Sequence, residues 1–436
     1  MKKIFTFLTV LLIGLGLVAC SKPKSEIEKL IEQAEKMTMD ELYQKAYEES
    51  KNATLYGLGN SSRGKTAGAS FVEMMKAKYP DYNGTIDWSQ PKENTIFQML
   101  DSDSKSASPQ FSMTLIQDGA QIKSKMIDTG VLYNFVPKAW KEASGVDVKA
   151  NGEPLTLQTL SKVFMFNNLE KGKEFKNVWH FVREGERPMF MGLQSEPIGF
   201  NALLMLTRDD YVAYVKEAFD ALTPAEKTYW QPKVDALKAK AKELKLGANA
   251  EYSLAWIQAW VGQMNVMTDD GPICNELVKT TASGQSGLFV YSKLRSVQET
   301  EGVSKNNITI AAYQDGYKGF GGYAYKHYLQ VTKKSPLPWT AMAFIAYMVT
   351  EKDGFNPWGK DIGGYSANPA VNQDHSKKGY NEAGTEILFP ALNDKGYKWW
   401  IGTKAGEGRL IVEDHEYAAK VSFTVGAWIE TLKGFK

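Results

Sequence analysis

Cysteine is almost missing from this chain: its 436 residues hold two, Cys20 and Cys274. With Cys20 committed to a modification, as argued below, no intrachain disulfide can form, and stability must come from a buried core. Histidine is nearly as scarce. His180, His327, His375 and His415 form no H-x-x-x-H pair, so zinc lacks its usual spaced ligands. No G-x-S-x-G, C-x-x-C, H-E-x-x-H or G-x-x-x-x-G-K-[ST] segment occurs, which leaves hydrolase, redox and P-loop chemistry without support. An excess of one charge is absent too. The 52 basic and 50 acidic residues leave a net charge of +2, with no electrostatic footprint for nucleic acid. There is no internal repeat, no low-complexity segment and no long apolar run beyond the N-terminus.

What is present starts with that N-terminus. Met1-Lys2-Lys3 is a short positive region, Ile4 to Ala19 is almost wholly apolar, and Leu17-Val18-Ala19-Cys20 carries the small residues and cysteine of a lipoprotein cleavage site. The run is short for a bilayer span, which needs roughly 20 residues. The expectation is therefore a signal peptide over 1–19, acyl chains on Cys20, and tethering to the outer face of a membrane. Aromatic residues are abundant at 12%, with 11 Trp and 21 Tyr. Such rings suit clefts that are part apolar and part wet, although a large core also uses them.

Along the chain, 20–50 reads as a tether and leading helical stretch, with a second helix start at Thr38. Strand and helix signals then alternate. Strands are expected at Thr54–Leu58, Thr85–Trp88, Phe111–Ile116, Val178–Val182, Leu288–Tyr291, Ile308–Ala312 and Tyr323–Val331. Helices are expected at Thr66–Tyr79, Glu93–Leu100, Gln121–Asp128, within Asp209–Leu246, at Tyr252–Val266, from Asp270 to Ser283, at Pro338–Thr350 and at Ala418–Leu432. This alternation predicts an α/β fold with a mostly parallel sheet. Leu246-Gly247 reads as a helix stop, and Cys274, in an apolar helical pattern, as a small core residue.

The order of five segments resembles that of bacterial extracellular solute-binding proteins, the substrate-binding lipoproteins of ABC importers. The segments are Leu17 to Cys20; Asn60-Ser61-Ser62-Arg63-Gly64-Lys65 between strand and helix; Leu115-Ile116-Gln117-Asp118-Gly119; Gly284 to Tyr291; and Val331-Thr-Lys-Lys-Ser-Pro-Leu-Pro-Trp-Thr-Ala-Met-Ala-Phe-Ile. Gly363-Gly364-Tyr365-Ser366-Ala367-Asn368-Pro369 is similar to a late loop of that family. The closest subgroup is the iron(III)-type binders, which also contains binders of phosphorylated sugars. The resemblance implies a type II two-lobed periplasmic-binding-protein-like fold, each lobe a mixed, mostly parallel sheet flanked by helices and joined by hinge strands. Lobe one would take 51–150 plus 305–436, and lobe two 151–304. It also implies a monomer without cofactor or catalytic residues, partnered by a small-molecule solute and by permease and ATPase subunits. Residues 205–265 are longer than the usual helical part of lobe two.

Candidate ligand contacts follow from where strands end. Asn60, Ser61, Ser62 and Arg63 bring backbone N–H groups, hydroxyls and a guanidinium to a helix start, chemistry suited to an anion or a sugar oxygen. Gln117 and Asp118 lie beyond another strand, Glu196 and Asn201 in the matching loop of the second lobe, Asp270 at a helix start, and Tyr291 after a strand. Each has a structural alternative in capping or packing. Tyr323 and Tyr365 complete the set. Tyr323 and Tyr325 share a strand face with His327, Lys326 and Tyr328 taking the other. Tyrosinate suits ferric iron, but no Tyr-Tyr pair occurs. The expectation is a phosphorylated sugar or organic anion, with ferric iron or a ferric complex second and a surface enzyme acting on glycans or phosphoesters third.

Overall fold

The computed structural model describes residues 23–91, 93–359, 364–372, 378–380, 386–388 and 394–435. The expected signal peptide, Cys20 and His375 lie outside the described residues. In chain order the strands are β1 (Thr54–Gly59), β2 (Thr85–Ser89), β3 (Phe111–Ile116), β4 (Leu132–Tyr133), β5 (Thr156–Asn167), β6 (Met189–Met191) and β7 (Asn265–Met267). They continue with β8 (Ser286–Val290), β9 (Ile308–Ile310), β10 (Gly322–Thr332), β11 (Tyr365–Ser366), β12 (Lys378–Tyr380), β13 (Glu386–Leu388) and β14 (Ile411–Val412). β12 and β13 pair with each other; the rest form one sheet in the order β2-β1-β3-β10-β5-β8-β6-β7, with β4, β9, β11 and β14 attached along β5 and β10.

β5 and β10 organise this sheet. They run antiparallel, and at twelve and eleven residues they are about twice the usual strand length. Every residue in both is buried, as expected of strands covered on two faces. β3 pairs antiparallel with the C-terminal half of β10, Tyr328 opposite Ile116 and Val331 opposite Met113. β8 pairs antiparallel with the C-terminal half of β5, Lys162 opposite Val290 and Phe166 opposite Ser286. β1 and β2 continue parallel from β3, and β6 and β7 parallel from β8. Two lobes therefore grow from opposite ends of one strand pair.

Strand direction then fixes what faces what. β3 points its C-terminal end toward the second lobe and β8 toward the first. Ile116 ends level with Tyr328, and Val290 ends level with Lys162, which is itself opposite Tyr323. The two sets of strand ends are thus five β10 residues apart, about 16 Å at the usual rise.

Each lobe has its own core. In the first, the helix Pro338–Thr350 is buried almost all round, with Phe344 against Phe71 and beside Leu55, Met113 and Leu115. In the second, Phe164, Trp256, Trp260, Phe181 and Phe320 stack and tilt against one another on one face of β5, while Val163, Met165, Phe289 and Ile273 fill the other. The terminal segment contributes Ala418, Val421, Val425 and Ile429 to that second-lobe core, following β14, which pairs with the second-lobe end of β10.

The leading stretch is two helices, Glu26–Ala34 and Met39–Ser50, each started by a reciprocal cap: Ser25 with Glu28, and Thr38 with Glu41. Ile27, Ile31, Leu42 and Ala46 are buried in the first-lobe core. Glu49 closes the join. Its carboxylate accepts from the Trp339 and Thr340 backbone N–H groups (3.2 and 2.7 Å) and from the Thr340 hydroxyl (2.7 Å), at the free N-terminus of Pro338–Thr350.

Four expectations need correction. Val178–Val182 is a 3₁₀ turn, because the Asn177 side chain accepts from the Trp179 N–H and starts a local turn, against the strand propensity of the segment. The helical insert ends with Lys245 in the left-handed region at φ 55°, before Gly247 is reached. The helix at Asp270 stops at Leu277 rather than Ser283. Asn201 lies within the helix Pro197–Met205 and not in a loop. The predicted outcome of Glu49→Ala is a loss of about 1–2 kcal/mol in chemical denaturation, the usual cost of a deleted N-terminal cap; a change within error would mean the leading helices are not welded to the lobe.

Candidate functional site

Of the loops beyond the facing strand ends, the one after β3 reaches across to the second lobe. After β1, Asn60-Ser61-Ser62 turns into the helix Arg63–Lys78. The indole N–H of Trp88 donates to the Ser61 carbonyl (2.9 Å), and Gly64 lies so close to that ring that a Cβ would fall 2.0 Å from it. The Asn60 backbone N–H donates to Leu115 O, while both polar atoms of its side-chain amide are buried without a partner. Ser62 is exposed and Arg63 half-buried.

After β3, Gln117 is half-buried and Asp118 fully buried. Asp118 caps the turn at Gly119–Gln121, its Oδ1 accepting from the Gln121 N–H at 3.1 Å. The same oxygen accepts from the Asn201 side-chain amide of the second lobe at 2.8 Å. This buried bond joins two residues that sequence reasoning placed on opposite lobes. Burial pushes the Asp118 carboxyl up from its ordinary value, against the pull of the Asn201 and Gln121 hydrogen bonds.

A residue the sequence analysis did not single out completes the closure. Glu413 follows β14, which pairs in parallel with β10 at Tyr323 and Ala324. Its carboxylate accepts from the hydroxyls of Tyr323 (2.9 Å) and Tyr328 (2.7 Å), and its N–H donates to Ala324 O (2.8 Å). Tyr323 and Tyr328 were expected on opposite strand faces. A bulge between His327 and Tyr328 shifts the register there, so both hydroxyls reach one carboxylate. Gly119 packs on Glu413 Oε1 with no room for a Cβ, so the first-lobe turn closes on this carboxylate as well. Burial, aided by nearby Asp118 and opposed by the two tyrosine hydrogen bonds and Lys326, raises Glu413 to about 7. An acid ending the apolar run Leu410-Ile411-Val412 was the only signal available in the sequence.

The remaining candidates divide. Asp270 is tied to Lys162 of β5 by two 2.7 Å contacts, both side chains being almost fully buried, and it also accepts from the Val290 N–H. This pair binds the middle of β5, the end of β8 and the start of the helix Asp270–Leu277 together. Glu196 is the half-buried residue immediately before Pro197–Met205. Tyr291 and Tyr365 lie together on the face of the sheet that carries Ala324, away from Tyr323. The Tyr365 hydroxyl and the Trp400 indole donate to Asp394 (2.5 and 2.8 Å), and Tyr291 packs its ring on Trp400. Among the described residues no three His, Cys, Asp or Glu side chains gather within reach of one metal ion.

Two α/β lobes on opposite ends of a shared strand pair, with strand C-termini facing across the gap, are matched by solved structures over almost their whole lengths. A substrate-binding protein of an ABC transporter from Agrobacterium tumefaciens superposes with a TM-score of 0.53 at 11% identity, covering 89% of this chain and 96% of that one. The fold is that of the two-lobed periplasmic binding proteins. The periplasmic binding protein P5PA gives 0.53 at 10% identity, covering 88% of this chain and all of that one. Iron-bound HitA from Pseudomonas aeruginosa gives 0.51 at 12%, covering 86% and 99%. No family model and no curated protein matches the sequence. In this fold β5 and β10 are the hinge strands, and the Asp118–Asn201 bond lies at the closure of the cleft.

Three variants test the polar framework. Lys162→Met leaves Asp270 buried without its cation and is expected to cost about 3–5 kcal/mol in denaturation, whereas Lys162→Met with Asp270→Leu recovers much of it; equal losses in both would deny the pairing. Glu413 binds its proton more tightly when buried than when exposed. Its contribution is therefore fully present below about pH 4.5 and lost as pH rises through about 7. Melting temperature followed from pH 5 to 8 should fall in the parent protein and flatten in Glu413→Gln, whose amide oxygen can still accept from both tyrosines. A slope untouched by that substitution would assign the titration elsewhere.

Proposed function

We propose that this chain is the solute-binding lipoprotein of an ABC importer, tethered through Cys20 outside the membrane, and that it captures a small polar or anionic solute between its lobes. It acts as a monomer and binds rather than transforms its solute, which it passes to separate permease and ATPase subunits. The observation that carries this reading is the set of opposed strand ends closed by a buried polar contact between lobes, a layout suited to hinge closure around a guest. The named neighbours support it, since they are described as binding proteins of ABC transporters or of the periplasm.

A phosphorylated sugar or organic anion is the favoured solute. Its support is the buried, unpartnered amide of Asn60 beside the helix start at Arg63, where N–H groups and a guanidinium complement anionic oxygen. Ferric iron or a ferric complex is the second reading. The oxygen-rich grouping of Tyr323, Tyr328, Glu413 and Asp118 favours it, hard donors of the kind a ferric ion takes, and HitA is described as iron-bound. A melting screen of the purified protein against sugar phosphates, carboxylates and Fe³⁺ separates them. At a concentration about 100 times Kd, a true solute adds about 2.7 kcal/mol, a shift readily seen. Stabilisation by sugar phosphates is expected; stabilisation by iron alone, with visible absorbance, would reject the favoured solute.

A further inference from the structure

One face of the hinge carries a row of matched positions: Lys162 with Tyr323, Leu160 with Tyr325, and Gln158 with His327. The last pair sits at the first-lobe end of the row and is the part of the hinge that the closure by Asp118, Asn201 and Glu413 does not use. Gln158 is fully buried and His327 is 3% exposed. Gln158 Nε2 and His327 Nδ1 are 3.0 Å apart, which satisfies one polar atom of each residue. The other two, Gln158 Oε1 and His327 Nε2, are buried with no partner. Beside them, the fully buried Trp358 stands its ring perpendicular to the imidazole at 6.5 Å, and its indole N–H is also unpartnered. Leaving a buried polar atom unmatched costs about 1–3 kcal/mol, so two on one bonded pair are an expensive arrangement unless something fills it.

The chemistry of the filler follows from the donors and acceptors. Burial holds the imidazole neutral, pushing it down to about 3. With the Gln158 amide donating to Nδ1, the proton of the neutral ring is on Nε2. The pair then offers one donor, His327 Nε2–H, and one acceptor, Gln158 Oε1. Turning the amide over exchanges the roles and still leaves one donor and one acceptor. Neither arrangement carries a charge, so an ammonium, a carboxylate or a metal ion would be only half matched and would be desolvated besides. A hydroxyl oxygen can both accept and donate, and it fits either arrangement.

We infer that Gln158 and His327, beside the Trp358 ring, form a seat for one hydroxyl group of the solute, held by a water molecule until the solute arrives. The seat rests on the binding-protein reading and sharpens it, from a polar solute to one with an alcohol group placed away from its anionic end. Water and a solute hydroxyl share the chemistry, so the test has an arm for each. A high-resolution crystal structure of the full protein grown without solute should show one ordered oxygen within hydrogen-bonding distance of both Gln158 and His327. With glucose 6-phosphate as the probe, a sugar hydroxyl should replace that oxygen. The deoxy analogue lacking that hydroxyl should bind at least about tenfold more weakly, and Gln158→Met should bind the two equally.

An empty space or a cation at the seat, or a water that stays in place beside bound sugar phosphate, would overturn the inference. Absence of any melting shift with sugar phosphates would instead remove the favoured solute, and the solute-free crystal would then decide the seat by itself.

Discussion

The antiparallel pairing of β5 with β10 is the contact on which the rest of the molecule depends. Because each strand is twice the usual length, one half can nucleate a lobe while the other half crosses to its neighbour. β3 and β8 attach to opposite halves, and their antiparallel sense turns their C-terminal ends toward each other. The site needs no further device to be two-sided. It is a consequence of strand direction, which turns the helix starts that follow β1 and β3 toward the second lobe.

The closure shows how a gap of about 16 Å is spanned by side chains from distant parts of the sequence. Asp118 comes from the first lobe, Asn201 from the second, the two tyrosines from the hinge and Glu413 from the returning tail. Burial shifts both carboxyl groups toward holding a proton more tightly than they would in water. The chemistry of the gap is therefore set as much by the exclusion of water as by which residues line it.

Much of this was legible in the sequence. Alternating strand and helix signals gave β1 to β3, the helix Pro338–Thr350 and the long strand β10 nearly to the residue, since short runs rich in β-branched and aromatic residues and all-round apolar helices leave strong patterns. The two-lobed fold expected from the order of the motifs is the one observed. What the pattern could not carry was local competition and long-range convergence. Asn177 converts an apolar strand-like run into a turn with a single side-chain hydrogen bond. A one-residue bulge swings Tyr328 toward the carboxylate that Tyr323 holds. Glu413 had no motif around it, and only the return of the tail to β10 gives it a place. Tyr291 and Tyr365 did come together, but around Asp394 on another face of the sheet.

The position of Glu413 so near the end of the chain has a consequence for biosynthesis. The loop at Asn60 and the turn at Asp118 can form early, yet the carboxylate that both hinge tyrosines grip is among the last two dozen residues to be made. A chain made N-terminus first would hold the strands of both lobes before Glu413 could reach the two tyrosines. The grip of the hinge on its tail is therefore a late step whenever the chain folds as it is made.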